Sequence, residues 1–166
     1  IVGMLACKMR WYSGGTVTCP VLTVKNRHQK FELKNLVFAS NFYGEAKDNF
    51  EKLFRFIKLF DCHVHLVKVI TPDQFETTAY TQKLIEGFAK EWGFLNYSIH
   101  IFNERTIHEG ILASAELLKA DAIAMETHGR TGFARLFYGS YTESVVNHAD
   151  VPVLSVRIIN LKESFH

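Results

Sequence analysis

Cysteine and proline are both scarce in this sequence, with three of each among 166 residues. The cysteines, Cys7, Cys19 and Cys62, are odd in number and show no C-x-x-C spacing, so they supply neither a disulfide framework nor a zinc site. This usage is typical of a reducing compartment, and we expect a cytoplasmic protein. Few prolines beside fourteen phenylalanines argue against a disordered or low-complexity chain.

Long apolar runs and runs of like charge are also missing. No apolar segment approaches the roughly 20 residues needed to span a bilayer, and Ile1–Cys7 is too short and too weakly flanked for a signal peptide. Nineteen Lys and Arg against seventeen Asp and Glu leave a net charge of +2, which gives no electrostatic footprint for nucleic acid. We therefore expect neither a membrane-spanning nor a DNA- or RNA-binding protein.

The sequence lacks the motifs of several common enzyme classes. It has no G-x-S-x-G elbow, no G-x-x-x-x-G-K-[ST] loop and no paired general acid and base. The I-H-E-G stretch at Ile107–Gly110 superficially resembles an adenylyl-transfer motif, but it opens a helix after a strand and carries little weight. His63 and His65 share one strand face, yet no third ligand stands at a useful spacing, so solvated or core histidines are favoured over a metal site.

Alternating patterns dominate what is present. From Phe31 onward, short apolar runs alternate with segments of helical period, which predicts an α/β fold with crossover units on a parallel sheet. The predicted strands are Leu36–Ala39, Val64–Ile70, a half-exposed edge strand through Tyr97, Ile99 and Ile101, Ala122–Met125 and Val151–Arg157. Pro152 removes a ladder donor, so the last strand should lie at an edge or begin its pairing after the proline.

Helix signals stand between these strands. The first predicted helix is Ala46–Phe60, and the second has Tyr80, Leu84, Phe88 and Trp92 on one face and a C-cap at Gly93. A capping box of Thr106 and Glu109 opens the third helix. A capping box of Ser140 and Glu143 opens the fourth, which should end near His148.

The segment from Asp121 to Arg157 carries a family pattern. Its matching residues are Asp121, Ile123, Met125, Thr127, His128, Gly129, Arg130, Thr131, Gly132, Gly139, Ser140, His148, Ala149, Pro152, Val153, Leu154 and Val156. In this register the chain resembles the universal stress protein family, whose ending runs D-x-I-V-M-G-T-H-G-R-T-G, a helix, then H-A-x-x-P-V-L-x-V. The resemblance extends more loosely from Phe31. It implies an open five-stranded parallel sheet in the order 3-2-1-4-5, helices on both faces, and dimerisation through the last strand.

The N-terminal segment partly repeats the C-terminal one. Thr18–Lys25 parallels Asp150–Arg157, with identity at the proline, the following valine and leucine, and a second valine. We interpret residues 1–30 as the remnant of a preceding unit with a linker, 31–160 as a universal stress protein-like domain, the second unit of a tandem-type protein, and 161–166 as a tail. Chance recurrence of a short P-V-L strand is the alternative.

A glycine-rich loop follows the fourth predicted strand. In the implied sheet it lies at the switch point, beside the crevice where ligands bind. The resemblance implies ATP or another adenine nucleotide such as AMP, with magnesium only as the nucleotide's companion. Asn41 and Val69 would lie near the nucleoside, and the phosphate residues would be Gly129, Arg130, Gly132, Gly139 and Ser140. Glycine lets the backbone approach an anion, and a helix N-terminus favours negative charge.

Two departures from the family pattern leave ligand binding open. Glu126 replaces a glycine, and Asn41 replaces the aspartate that ordinarily ends the first strand. A carboxylate about 4 Å from a phosphate charge implies roughly 4 kcal/mol of repulsion at an effective dielectric near 20, unless Glu126 turns outward or shares a metal. Ser140 could also be a plain N-cap that needs no ligand.

Two functions therefore remain as hypotheses. One is a regulatory module of the stress response that binds an adenine nucleotide. The other is a nucleotide-independent interaction module, a homodimer or a tandem-domain pair, that assembles through Val153–Arg157 and Val21–Lys25 because unpaired strand edges accept another strand. Slow ATP hydrolysis has only family analogy behind it, so we expect no catalytic residue.

Overall fold

The computed structural model describes residues 3–5, 21–25, 32–43, 47–128 and 138–158. Within these ranges strands and helices alternate along most of the chain. The strands are β1 Gly3–Leu5, β2 Val21–Val24, β3 Asn35–Ala39, β4 His63–Ile70, β5 Tyr97–Asn103, β6 Ala122–His128 and β7 Val153–Ile158. The helices are α1 Lys47–Ile57, α2 Thr78–Trp92, α3 Ile107–Leu117 and α4 Tyr138–His148.

All of these strands belong to one sheet, in the order β1-β2-β7-β6-β3-β4-β5. Across this sheet the five neighbouring strands β7, β6, β3, β4 and β5 are parallel. Counted along the chain from β3, they stand in the order 3-2-1-4-5, so the predicted parallel sheet is confirmed. β2 pairs antiparallel with β7, and β1 pairs antiparallel with β2. The N-terminal residues thus add two strands where we predicted one partial-repeat strand.

Helices cover both faces of the parallel strands. α1 and α2 pack on the face that carries Leu36, Phe38 and Leu66, while α3 and α4 pack on the face with Val67 and Ile123. Because successive side chains of a strand point to opposite faces, covering both faces requires nearly continuous apolar strands. None of the helices that the structure describes is long and apolar enough to cross a membrane.

Aromatic rings fill the core beneath α1 and α2. The Phe50 ring centroid lies 4.5 Å from that of Trp92 and 4.8 Å from that of Phe88, and Phe38 lies 5.1 Å from Phe50. Aromatic pairs of this kind contribute about 0.5–1.5 kcal/mol beyond the area they bury. This cluster fixes both helices on the sheet.

Local signals set several element ends as predicted. Thr106 caps α3, its hydroxyl oxygen accepting from the Glu109 backbone N–H at 3.3 Å. Gly93 caps the end of α2 in the left-handed conformation, with φ of 66°. β7 begins at Val153, directly after Pro152, which confirms the second of the two placements considered for the proline. Among the described strands β5 lies at a sheet edge, as its half-exposed pattern indicated.

Two predicted helix details are wrong. α1 ends at Ile57, three residues before Phe60, because the Phe60 N–H bonds to the Ile57 carbonyl and tightens the last turn. Tyr80 is 52% exposed, so it does not mark the buried face of α2. That face is formed by Thr81, Ile85, Phe88 and Ala89.

The start of α4 also differs from the prediction. The helix begins at Tyr138, so Ser140 lies inside its first turn and is not its N-cap. First-turn N–H groups have no intrahelical partner in any case, so glycine and serine are tolerated there. A Ser-to-Glu spacing alone therefore does not fix where this helix starts.

Candidate functional site

A crevice with a volume of about 120 Å³ opens at the carboxyl ends of β3, β4 and β6. β3 and β6 are adjacent strands at which the direction of winding reverses, and ligands of open α/β sheets bind at such switch points. The lining residues are Ala39, Ser40, Asn41, Tyr43, Val67, Lys68, Val69, Ile70, Gln74, Glu76, Ile107, Ile111, Met125, Glu126, Tyr141 and Thr142. Apolar surface with a few polar groups is the usual composition of a small-molecule site.

Ser40 and Glu126 are hydrogen-bonded between the ends of β3 and β6. Ala39 is paired with Met125, so the residues that follow them, Ser40 and Glu126, lie opposite each other. The Ser40 hydroxyl donates to Glu126 Oε2 at 2.8 Å and accepts from the Phe42 N–H at 3.0 Å. Burial raises the pKa of Glu126, although the bond from Ser40 acts in the opposite direction. The Glu126 side chain therefore turns into the crevice.

The loop after β3 is held by its own side chains. The Asn41 amide oxygen accepts from the Tyr43 N–H at 3.0 Å. Phe42 between them is left-handed, with φ of 62°, and its ring is buried in the aromatic core. A left-handed phenylalanine is strained, so the ring contacts and the two side-chain hydrogen bonds offset that cost. Asn41 thus lines the crevice with its amide oxygen already bonded.

A buried ion pair closes one end of the crevice. Lys68 Nζ lies 2.9 and 2.8 Å from the two carboxylate oxygens of Glu76 and 4.3 Å from the Tyr43 ring centroid. The Tyr43 hydroxyl and the Thr81 hydroxyl also donate to Glu76. Burial opposes ionisation of Glu76, but these hydrogen bonds and the Lys68 charge lower its pKa overall. The bond to Glu76, together with burial, raises the pKa of Tyr43 to about 12.

Helix α3 approaches β4 closely beside the crevice. A Cβ atom added to Gly110 would lie only 2.5 Å from Val69 Cγ1, so the absence of a side chain at Gly110 permits this packing. Val69, Ile107 and Ile111 together form an apolar wall of the crevice.

The structure brings together part of the predicted site. Asn41 and Val69 both line the crevice. Gly139 and Ser140 lie in the first turn of α4, directly before the crevice-lining Tyr141. The remaining predicted phosphate residues, Gly129, Arg130 and Gly132, lie outside the described residues.

Sequence reasoning missed Lys68, Glu76 and Tyr43. A lysine with two apolar residues on each side, as in L-V-K-V-I of β4, is a usable signal, because buried lysines require a partner. Identifying that partner requires the path of the loop after β4, which the local pattern does not give.

A second polar cluster lies on β4 and β5, away from the crevice. Ser98 Oγ lies 2.9 Å from His63 Nε2, 2.9 Å from His65 Nδ1 and 2.8 Å from His100 Nε2. Burial and the charges of the other two histidines lower the pKa of His65 to about 4. Burial and His63 lower the pKa of His100. Within the described part of the chain, no three His, Cys, Asp or Glu side chains are placed to hold a metal ion.

Comparisons with known proteins agree on one family. The family model for the universal stress protein family matches residues 32–157. A universal stress protein of Methanocaldococcus jannaschii is 39% identical over 80 residues, covering 45% of this chain and 43% of that protein. The structure of a universal stress protein from Archaeoglobus fulgidus is 26% identical with a TM-score of 0.64, covering 84% of this chain and 50% of that one.

A universal stress protein in complex with cAMP has the same fold, with a TM-score of 0.61 at 13% identity over 77% of this chain and 99% of that one. The chain spans half or less of the length of the relatives from M. jannaschii and A. fulgidus. The family match covers the five parallel strands, except the last residue of β7, and the crevice-lining residues. This chain belongs to the universal stress protein family.

Proposed function

We propose that this chain is a regulatory module of the stress response whose crevice binds an adenine nucleotide or nucleoside. The observation that carries the proposal is the crevice at the switch point between β3 and β6. Its apolar wall suits a purine ring, and its polar groups suit ribose hydroxyls. The relative that was solved with cAMP has the same fold. Cys62 is a free, buried thiol, which suits the reducing cytoplasm in which we place the protein.

The phosphates of ATP or AMP would lie toward the start of α4. Under this proposal Gly139 and Ser140 contribute first-turn N–H groups, which favour an anion at a helix N-terminus. Gly129, Arg130 and Gly132 complete the phosphate loop in the family pattern. Magnesium would enter only with a nucleotide. We propose ligand-dependent regulation and no catalytic step.

Calorimetric titration with adenosine, AMP and ATP tests the proposal. We expect saturable binding of at least one of them, and a rise in thermal stability that grows with ligand concentration. Asn41→Ala should weaken binding about 2- to 12-fold, the loss expected for one hydrogen bond. Asn103→Ala, at the exposed end of β5, is the matched control and should bind as the parent does. Absence of heat and of thermal shift at millimolar ligand would refute the proposal.

The alternative function is an interaction module, and the pairing of β2 with β7 favours it. Leu22 stands opposite Leu154 in this antiparallel ladder, and Lys25 Nζ donates to the Asn147 carbonyl at 2.6 Å. In the family the last strand is expected to pair between subunits or tandem domains. Here β2 would take the place of a partner's strand within the same chain.

Light scattering on a variant without residues 1–25 tests this alternative. Removing β2 would expose the backbone donors and acceptors of β7, which then seek another strand. We expect two molecules of the variant to associate through β7, so that the measured mass is twice that of one truncated chain. The parent should not associate through β7. An unchanged association state after the deletion would count against strand mimicry.

A further inference from the structure

The described lining of the crevice is acidic. Its charged side chains are Lys68, Glu76 and Glu126. Lys68 forms an ion pair with both carboxylate oxygens of Glu76. Their charges cancel, so the carboxylate of Glu126 is the uncompensated charge in this part of the lining.

Glu126 is anchored in place. Its Oε2 accepts from the Ser40 hydroxyl at 2.8 Å, and the Ser40 hydroxyl oxygen accepts from the Phe42 N–H at 3.0 Å. These two hydrogen bonds tie the carboxylate to the turn after β3. A carboxylate has two acceptor oxygens, so Glu126 keeps acceptor capacity beside the bond from Ser40. A carboxylate is an acceptor only, so the group beside it must be a donor.

The remaining lining is apolar. Val69, Ile107, Ile111 and Met125 contribute aliphatic and thioether surface to the crevice. A flat heterocycle buries favourably against such surface. A ring that also carries hydroxyl or amino donors would satisfy Glu126 as well.

We infer that the crevice selects an uncharged nucleoside over polyphosphate nucleotides, and that Glu126 is the residue that determines this selection. The inference rests on the proposed function and narrows its ligand class. Two like unit charges about 4 Å apart, at an effective dielectric near 20, reduce an affinity by up to about a thousandfold. A ribose hydroxyl at the same place would instead donate to the carboxylate.

Titration calorimetry of the full chain with adenosine and with ATP, in buffer containing EDTA, tests the selection. We expect the parent to bind adenosine at least tenfold more tightly than ATP. Glu126→Gln keeps an acceptor for Ser40 but removes the charge, so ATP affinity should rise at least tenfold while adenosine affinity changes less than threefold. Glu86→Gln, an exposed substitution on α2, is the control and should leave both affinities unchanged.

The possible failures are distinguishable. Equal affinity of the parent for adenosine and ATP would overturn the selection while leaving the proposed function intact, and this comparison needs no variant. An unchanged ATP affinity in a folded Glu126→Gln protein, verified by its circular dichroism, would remove the role of Glu126. If neither adenosine nor ATP binds to the parent or to the Glu126→Gln protein, the proposed function itself is refuted.

Discussion

Lys68 and Glu76 form a two-pronged ion pair, with Nζ to oxygen distances of 2.9 and 2.8 Å, between β4 and the loop that leads into α2. The exposed fractions of the two side chains are 5% and 17%. Water therefore screens the pair little, and the pair holds this loop against the crevice. Removing one partner leaves a buried charge without compensation.

Glu76→Gln should destabilise the protein strongly. Breaking one side of a buried pair costs about 3–5 kcal/mol, and the Lys68 ammonium would then face a neutral amide. The free energy of unfolding in urea measures the loss. Glu86→Gln changes an exposed carboxylate that accepts a hydrogen bond from the Gln82 side-chain amide at 2.8 Å, and should change stability by less than about 0.5 kcal/mol.

The double variant Lys68→Met, Glu76→Gln should be more stable than Glu76→Gln alone. Methionine fills a similar volume without a charge, so the cost of the orphaned ammonium disappears. Urea unfolding of the two single variants and the double variant gives the coupling energy of the pair. Additive losses would mean that the two side chains act independently.

Acid should weaken the fold through the histidine cluster. The pKa of His65 is lowered to about 4 in the folded protein, by burial first and then by His63 and His100, against about 6.5 in an unfolded chain. Between these values the unfolded state binds more protons, so stability falls as pH falls from about 6.5 toward 4 and is fully present above that window. Urea midpoints at several pH values measure the slope.

His65→Gln should flatten that pH dependence. Glutamine keeps a hydrogen-bonding group near Ser98 but cannot take up a proton. The urea midpoint of the variant should then change less than that of the parent between neutral pH and pH 5. An identical slope in both proteins would place the acid sensitivity elsewhere in the chain.

Gly110→Ala should destabilise the protein, although alanine favours a helix. The new Cβ would lie 2.5 Å from Val69 Cγ1, and overpacking of this kind costs roughly 1–3 kcal/mol. Gly87→Ala is the matched control, because no atom lies within 4 Å of its added Cβ. That exposed substitution in α2 should stabilise by about 0.5–1 kcal/mol. Thermal unfolding of both variants gives the comparison.

Features of the fold that depend on neighbouring residues were predictable from the sequence. The Gly93 cap needs only a left-handed residue at a helix end, and the Thr106 cap needs only a hydroxyl three residues before Glu109. The edge position of β5 follows from alternation within the strand itself. The order of the parallel strands came from the family resemblance, because periodicity does not order strands.

Features that depend on distant residues were not predictable in this way. Ser40 and Glu126 are 86 residues apart, and only the pairing of β3 with β6 places them together. His100 joins His63 and His65 because β5 pairs with β4 in a register that the sequence does not state. The start of α4 was also missed, since glycine and serine in a first turn resemble a cap in local spacing.

The position of β3 has a consequence for the route by which this chain folds. The N–H groups of Asn35, its first residue, and of the preceding Lys34 donate to the Asp121 carboxylate at 2.8 Å across 86 and 87 residues. During synthesis, one side of β3, the middle strand of the five parallel strands, therefore stays unpaired until β6 has been made. Pairing between strands that are distant in the sequence slows folding and leaves an aggregation-prone intermediate with unpaired strand edges. The yield of refolding should therefore depend on protein concentration and on chaperones, because the strands that must pair are far apart in the sequence.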